Sequence, residues 1–458
     1  VLMEQTLDTS QMQVLFVYEY NHIKMKNVLH YIPLAITMLL SSCGKEFRRR
    51  KVKYTISSDR HKPAFLFFSC RELGKAAYLN NNTQPLSNYT MKTIYCILLL
   101  LVLASCNNKS QDTDILNGEI ICIEDHAPEK EVEFKKLTLK GLNFGNLAIH
   151  DSLAFFMNPK LQSKWFQLFN CHTLDEVGEF VGKGNGHEEF IAVGPIWNFY
   201  TENNELKTLI FDGNKESVSV WNITKSLTSK STIIEKEIKM PWKKENRGAC
   251  FNELLIKDSC TLYAKVLATP TNDHDASLPY YQIRDLRNGE KISDIQIFKK
   301  SIVNKQTKFL PQTFFYSHDA MKPDGSKIAQ AMLHVPQLNI IDTKSKAVTG
   351  YRMNENMSLS DLETSKELKP YFIRICADDN YIYTVFYGKA AWKVNEVPCV
   401  NHIYIFDWEG HLVRKIITKH CIDEIAVDGI NKILYTTSPM DEKLYYIKTD
   451  ELITGATL

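Results

Sequence analysis

Residues 129–458 of this 458-residue chain predict an all-β fold, a six-bladed β-propeller of four-stranded antiparallel blades, preceded by a signal and tether region. Three observations carry the prediction. Short runs rich in aromatic and β-branched residues follow one another, and Asn, Asp and Gly turns separate them every 8–12 residues or so, about the spacing of an all-β architecture. The runs recur as a larger unit of strand, turn, strand, loop, strand, turn and strand, and such recurrence marks propellers and solenoids. Six units at roughly 50 residues each fit the stretch and leave room for long loops.

The units follow in order. The first is "LAIHDSLAFFMN" with "WFQLFNCHTLDEVGEFVG"; the second is "IWNFYTENNELKTLIFDGNKESVSVWNI". The third is "NELLIKDSCTLYAKVLA" with "YYQIRDLRNGEKISDI". The fourth runs from "TFFYSHDAMKPDGSKIAQA" to "NIIDTKSKAVTGY". The fifth is "YFIRICADDNYIYTVFYG" with "NHIYIFDWEGHLVRKI", and the last is "IDEIAVDGINKILYTTSPMDEKLYYIKTD". The last unit has three good strands. Its fourth is expected from "EVEFKKLTLKG", Glu131 to Gly141, which would close the ring by joining both ends of the chain in one blade.

The region before the propeller divides further. "MKTIYCILLLLVLASCNN" has a positive start at Lys92 and an apolar run too short to span a bilayer as a helix. It ends in Leu103-Ala104-Ser105-Cys106, which resembles the lipobox of bacterial lipoproteins. That resemblance implies a signal peptide over residues 91–105, a diacylglycerol on the Cys106 thiol and acylation of the new amino group. Several acyl chains together give stable anchoring. Residues 106–128 read as the lipidated cysteine and a flexible polar tether. A second signal-like segment, residues 25–43, closes on Leu40-Ser41-Ser42-Cys43, so Cys43 is the alternative lipidation site. One chain needs one such signal. Residues 1–90, largely disordered in this reading, are therefore expected to be upstream extension outside the mature protein. Asn107 is not the Asp that retains lipoproteins at the inner membrane, so the outer membrane is the expected location. "NNKSQD" lacks the short acidic run of surface-export signals, which leaves the membrane face open.

Charge excludes one class of partner. Residues 1–90 hold 12 Lys+Arg against 6 Asp+Glu, whereas residues 107–458 hold 42 against 47. A mildly acidic body has no electrostatic basis for nucleic-acid binding. Seven of the 11 cysteines follow Cys106, none in a Cys-x-x-Cys or zinc-site spacing. That odd, scattered set argues against a disulfide framework and for small buried side chains. Cys250 with Cys260, across a hairpin, is the one pairing the spacing suggests.

"SHDAMKPDGSKIAQA", Ser317–Ala331, is similar to the S-P-D-G-x-x-I-A turn of TolB-type propeller blades. Pro323 fixes φ, Asp324-Gly325 supplies the turn, and Ile328 starts the next buried strand. "FVGKGNGHEEF", Phe180–Phe190, resembles the G-x-G-x-G-E-F segment of six-bladed propeller lipoproteins of the Bacteroides type, with His187-Glu188 lengthening the spacing. "IYIFDWEGHLVRKI", Ile403–Ile416, resembles their penultimate blade. The resemblance implies the fold and leaves activity open, because propellers host many functions.

Gly182, Gly184 and Gly186 lack the strand-to-helix context of a phosphate-cradling loop and read as an inter-blade loop. Asp273, His274 and Asp275 are weak candidates for a divalent cation, because adjacent residues rarely converge on one ion. His150-Asp151 and His318-Asp319 fall at similar places in two units and read as structural. The tryptophans suit one large aromatic per blade core. The exception is Trp392, which with Lys389 in the long polar loop "GKAAWKVNEVP" forms the candidate ligand-binding pair.

These readings converge on a monomeric outer-membrane lipoprotein whose propeller binds a protein or glycan ligand, with no cofactor and no catalytic residue assigned. The alternative is a propeller enzyme, a polysaccharide lyase or hydrolase, with its site in the central funnel. The lining of the funnel's narrow end discriminates them. Two or more histidines with a carboxylate favour the enzyme; an apolar or Lys/Asn lining favours binding.

Overall fold

The computed structural model describes residues 116–123, 126–141, 145–186, 188–241, 250–267, 279–299, 314–353, 367–389 and 399–454, with five short strands nearer the N-terminus. The chain forms two compact units, residues 1–108 and 109–458. In the first, β1 (Leu7–Asp8) pairs with β2 (Gln11–Met12). There β5 (Phe65–Phe67) lies between β3 (Leu15–Val17) and β4 (Ile56–Ser57).

The second unit is a six-bladed β-propeller. It begins with three peripheral strands: β6 (Glu119–Ile123), β7 (Glu129–Val132) and β8 (Lys135–Leu137). Blade 1 holds β9 (Asn146–His150), β10 (Leu153–Met157), β11 (Lys164–Asn170), β12 (Glu176–Lys183) and β13 (Glu189–Phe190). Blade 2 holds β14 (Tyr200–Glu202), β15 (Glu205–Asp212), β16 (Ser217–Asn222) and β17 (Ile234–Lys239), with helix α1 (Ile223–Ser229) between its last two strands. Blade 3 holds β18 (Cys250–Asp258), β19 (Thr261–Leu267), β20 (Tyr280–Asp285) and β21 (Lys291–Gln296).

Blade 4 holds β22 (Ser317–Met321), β23 (Lys327–Met332), β24 (Gln337–Asp342) and β25 (Val348–Met353). Blade 5 holds β26 (Phe372–Ala377), β27 (Tyr381–Phe386), β28 (His402–Asp407) and β29 (Leu412–Thr418). Blade 6 holds β30 (Ile425–Asp428), β31 (Ile433–Thr437) and β32 (Leu444–Lys448), followed by helix α2 (Thr449–Ile453).

The ring closes where the sequence predicts. β8 falls within Glu131–Gly141 and pairs antiparallel with β32 as the outer strand of blade 6, Leu137 opposite Leu444. The blades are not all four-stranded, however. β6 adds in parallel to β25 of blade 4, β7 in parallel to β29 of blade 5, and β13 in parallel to β12 of blade 1. These additions cover outer edges that would otherwise present unpaired backbone groups. They also correct the tether, expected to reach residue 128. Its "EIICI" is apolar enough to pair, and Leu116 is fully buried beside Phe298.

Each blade is apolar on both faces, and each face is buried against a neighbour. Blades 1 and 2 meet at Trp221, ringed by Phe155, Phe166 and Phe180 at 6.1, 5.4 and 5.9 Å. Blades 3 and 4 meet at Tyr281, Phe298, Phe315 and Ile328; blades 4 and 5 at Leu338, Phe372, Phe406 and Trp408. Leu139, Phe156, Phe169 and Tyr435 fill the closing interface of blades 6 and 1. The tryptophan reading holds for Trp221 and Trp408, both buried. The Pro323-Asp324-Gly325 turn forms as expected: Gly325 takes φ +70° and donates its N–H to Lys322 O at 2.8 Å. The Asp324 carboxylate accepts from Ser326 N, and Ile328 is fully buried.

The cysteines depart from expectation. Cys250 and Cys260 do not pair; the nine-residue β18 carries them to opposite ends, and Cys260 is a free, exposed thiol on the turn. The disulfide is instead Cys399–Cys421, with Cα atoms 4.8 Å apart and 22 residues of separation. Cys122 is also exposed and Cys376 half-buried, so among the described residues Cys171 is the buried free thiol. Loop-closure entropy for this separation is roughly 3 kcal/mol. Replacing both Cys399 and Cys421 by Ser should lower unfolding stability by about that amount, read by chemical denaturation. An unchanged midpoint, with no free-thiol gain on reduction of the native protein, would show that the bond does not form.

Candidate functional site: the central channel

The innermost strand of each blade faces the ring axis, so six chain segments wall one channel of about 1030 Å³. They are Asn146–His150, Pro195–Thr201, Asn252–Ser259, Tyr316–Met321, Arg374–Ala377 and Glu424–Ile430. Two contacts fix their common level. Asn146 Nδ2 donates to Glu424 Oε1 at 3.1 Å where the strands of blades 1 and 6 begin. Ser152 N donates to Asp428 Oδ2 at 2.8 Å where they end.

The beginning end is polar. Arg374 Nε donates to Glu424 Oε1 at 2.9 Å, and Nη2 lies 2.9 Å from the same oxygen. One carboxylate oxygen thus gathers three donors from blades 5 and 1. The other, Oε2, has no hydrogen-bond partner among the described residues. Burial pushes the Glu424 carboxyl up to about 7, against the pull of Arg374 and with a smaller push from Asp423. His318 stands beside this group on β22. Burial first, then the charges of Arg374 and Lys265, lower its imidazole to about 3, so it is neutral. Its ring meets Tyr316 edge-on at 5.3 Å and takes no hydrogen bond from the described residues.

Behind His318 lies a buried charge cluster between blades 3 and 4. Lys265 Nζ sits 3.0 Å from Asp319 Oδ2, 3.5 Å from Glu253 Oε1 and 2.7 Å from Ser317 O, and its side chain has no solvent exposure. Burial alone would neutralise this lysine; Asp319 and then Glu253 overcome it and raise its pKa. Ser317 Oγ and the Tyr281 hydroxyl donate to the two Asp319 oxygens. Burial first, then the Asp319 charge, push the Glu253 carboxyl well above the usual carboxylate range, against the pull of Lys265. From Asp319 a polar ladder crosses blade 4 through Gln330 on β23, Asn339 and Gln337 on β24, and Arg352 on β25. Such a network is stable in low dielectric only when its members are satisfied.

The ending end carries His150, Asp258, Asp379 and Asp428. His150 packs on Phe199 at 5.2 Å, and burial lowers its pKa against Asp428 and Asp151. Asp428 accepts from Ser152, Ile430 and Asn431 and so laces blade 6 to blade 1. Of the two channel histidines, His150 is the last residue of β9 and His318 the second of β22. Among the described residues no group of three or more His, Cys, Asp or Glu could hold a metal ion.

The sequence-level candidates distribute as follows. Cys106, Cys43, Trp392, Asp273, His274 and Asp275 lie outside the described residues. Lys389 is exposed just after Gly388 and does not line the channel. The glycine loop holds an anion of its own chain: Gly186 N donates to Glu189 Oε2 at 2.9 Å. Gly184 takes φ +150°, which side chains disfavour, so glycine suits that position. In the His-Asp pairs, Asp319 takes the structural role expected, while His150 and His318 turn to the channel. Arg374, Glu424, Glu253 and Lys265 were missed. Their signal is a charged residue inside an apolar strand, as in "FIRICA", "FNELLI" and "TLYAKVL".

The profile of the family described as TolB-like 6-blade propeller-like matches residues 143–429. No curated protein matches the chain. Among solved structures, a member of the DUF4221 family from Bacteroides vulgatus is similar at 14% identity and TM-score 0.48, over 73% of this chain and 98% of that one. Regucalcin from Agrobacterium tumefaciens follows at 8% identity and TM-score 0.40, over 69% and 95%. Hydrazine synthase from Kuenenia stuttgartiensis gives 13% and 0.37, over 69% and 97%.

Two outcomes test the channel's electrostatics. Lys265→Met leaves two buried carboxyls without their cation. It should cost about 3–5 kcal/mol, which urea unfolding reads; an unchanged midpoint would show that the lysine is not held by these carboxyls. Glu424 has a folded-state pKa above its unfolded value, so its stabilising contribution is full below about pH 4.5 and is lost as pH rises through 7. Wild type should therefore lose about 3 kcal/mol relative to Glu424→Gln over that window. Parallel pH profiles of the two proteins would rule this out.

Proposed function

The chain belongs to the TolB-like family of six-bladed propellers, and from that premise we propose a lipid-anchored envelope protein whose propeller captures a protein or glycan ligand in its central channel. The observation that carries the proposal is the channel: six strands supply its wall, and donors and acceptors cluster at one end of it. A wall assembled from every blade is rigid, and rigid walls present polar groups in fixed geometry. The envelope location draws support from two sides. Leu103–Cys106 has the lipobox form, and the Cys399–Cys421 disulfide suits an oxidising compartment outside the cytoplasm. Cys106 would hold the lipid and residues 107–115 the tether. Among the described residues no helix is long and apolar enough to cross a membrane.

One observation favours the enzyme as a second reading. Glu424 is a carboxyl with a pKa of about 7 that lines the channel, which suits a general acid or base. Against this, neither channel end gathers two histidines, so the metal-centred constellation of a propeller lyase does not form among the described residues.

Labelling cells with a palmitate analogue tests the anchor. Label should be lost in Cys106→Ala and kept in Cys43→Ala; the reverse result places the mature start at Cys43. Ala320 lines the channel, so Ala320→Trp should narrow it and weaken capture by the intact protein on a glycan array or in co-purification. Uniformly negative results from both assays with the wild-type protein would remove the binding proposal.

A further inference from the structure

The charge of the channel wall sets it apart from the rest of the fold. Residues 107–458 carry a formal excess of five acids over bases. Four of that excess fall on the channel lining, where six acids face two bases, Lys257 and Arg374. A small part of the chain thus holds most of its net charge. Some of the wall is neutralised locally: Arg374 pairs with Glu424, and the fully buried Lys265 pairs with Asp319. Asp258, Asp379 and Asp428 have no ion pair among the described residues. They come from blades 3, 5 and 6 and share one end of the channel. Asp258 is the last residue of β18, Asp428 the last of β30, and Asp379 follows β26 by two residues. Asp258 and Asp379 are exposed. Asp428 is buried and accepts from Ser152 N, Ile430 N and Asn431 Nδ2, neutral donors that leave its charge in place. Lys257 lines the same end, next to Asp258 in the chain and outside ion-pair distance of it.

A second observation lies elsewhere on the wall. Glu253 is 5% exposed, and its Oε1 stands 3.4 Å from Asn252 Nδ2 and 3.5 Å from Lys265 Nζ. Its Oε2 has no hydrogen-bond partner. A buried acceptor without a donor is unfavourable, and a donor brought by a ligand relieves it. Apolar surface accompanies the aspartates: Ile430 is exposed in the lining, and Phe199 packs on His150 at their end.

We propose that the channel is a binding site for a cationic ligand, whose ammonium or guanidinium groups enter past Asp258, Asp379 and Asp428. The proposal rests on the channel-binding function above and names the charge of its ligand. A cleft lined by one sign of charge, with low-dielectric walls, concentrates the opposite ion. An anionic ligand meets the same field as a barrier, and a neutral one gains nothing from it. Ammonium and guanidinium groups carry several N–H donors each, so they hydrogen-bond to carboxylate oxygens as well as neutralising them. Their aliphatic stems suit Ile430, and their heads suit the face of an aromatic ring such as Phe199. Two sources carry this chemistry, a lysine-rich protein segment and a free polyamine, and the probes below separate them.

The test titrates the intact protein at low ionic strength, by calorimetry, with spermidine, an oligolysine, and oligoglutamate and oligoserine of matching length. A cationic probe should bind, and the glutamate and serine peptides should not. Tighter binding of oligolysine points to a protein segment, and tighter binding of spermidine to a polyamine. Binding should weaken severalfold at physiological salt. Asp258→Asn combined with Asp379→Asn should weaken it on the order of tenfold. Lys257→Gln should tighten it, a gain that a merely structural role would not produce. Glu133→Gln combined with Asp175→Asn, exposed acids outside the channel lining, should leave it unchanged. Circular dichroism checks that each variant is folded. Equal or better binding of oligoglutamate, or equal losses from the two pairs of variants, overturns the proposal. Binding by neither cationic probe also overturns it. The channel function still stands in that case if a glycan or a co-purified protein is captured and the capture weakens in Ala320→Trp.

Discussion

A blade of this propeller has two apolar faces, and a row of blades buries all of them only if it closes into a ring. That closure rests on three residues of β8 lying against β32. It joins the start of the fold to its end and seals the core of Leu139, Phe156, Phe169 and Tyr435 between blades 6 and 1. Without it, one face of each terminal blade would meet water, at a hydrophobic cost of about 25 cal/mol for each Å² exposed. The same N-terminal segment then does a second task. Before reaching β8 it lays β6 and β7 along the outer edges of blades 4 and 5, so closure and edge protection come from one stretch of chain.

The channel is a consequence of that ring. Two of its ion pairs cross blade interfaces. Lys265 of blade 3 meets Asp319 of blade 4, and Arg374 of blade 5 meets Glu424 at the threshold of blade 6, which Asn146 of blade 1 also reaches. Each pair is polar material in an apolar setting, tolerated because the neighbouring blade supplies its partner. His318, whose ring takes no hydrogen bond from the described residues, lines the channel beside these pairs.

Much of the architecture was legible in the chain. "KPDGSKIA" declares a turn and a buried strand start because Pro323 and Gly325 have only a few backbone options, and the structure places Gly325 at positive φ. The missing sixth-blade strand was legible as an orphan apolar run with no unit of its own. The parallel strands β6 and β7 were not legible, since a parallel partner far along the chain leaves no local turn to announce it. The disulfide escaped for a similar reason. Cys399 and Cys421 belong to segments that flank two strands of blade 5, and spacing does not say that a backbone bond from Ile422 N to Val400 O at 2.7 Å brings them together. The residues "FIRICA" and "CIDEIAV" show that charges sit in buried strands, yet they do not show that Arg374 and Glu424 face each other.

The sequence by itself determined the class of fold, the number of blades, the turns and the strand that closes the ring. Those follow from local chemistry: alternation with period two, glycine where φ must be positive, and repetition of one unit. Tertiary structure alone decided the pairing of Asn146 with Glu424, 278 residues apart, and the neutrality of His318 between two cations. The physical reason is that alternation says which face of a strand a side chain takes, whereas its partner and its dielectric surroundings are supplied by another blade.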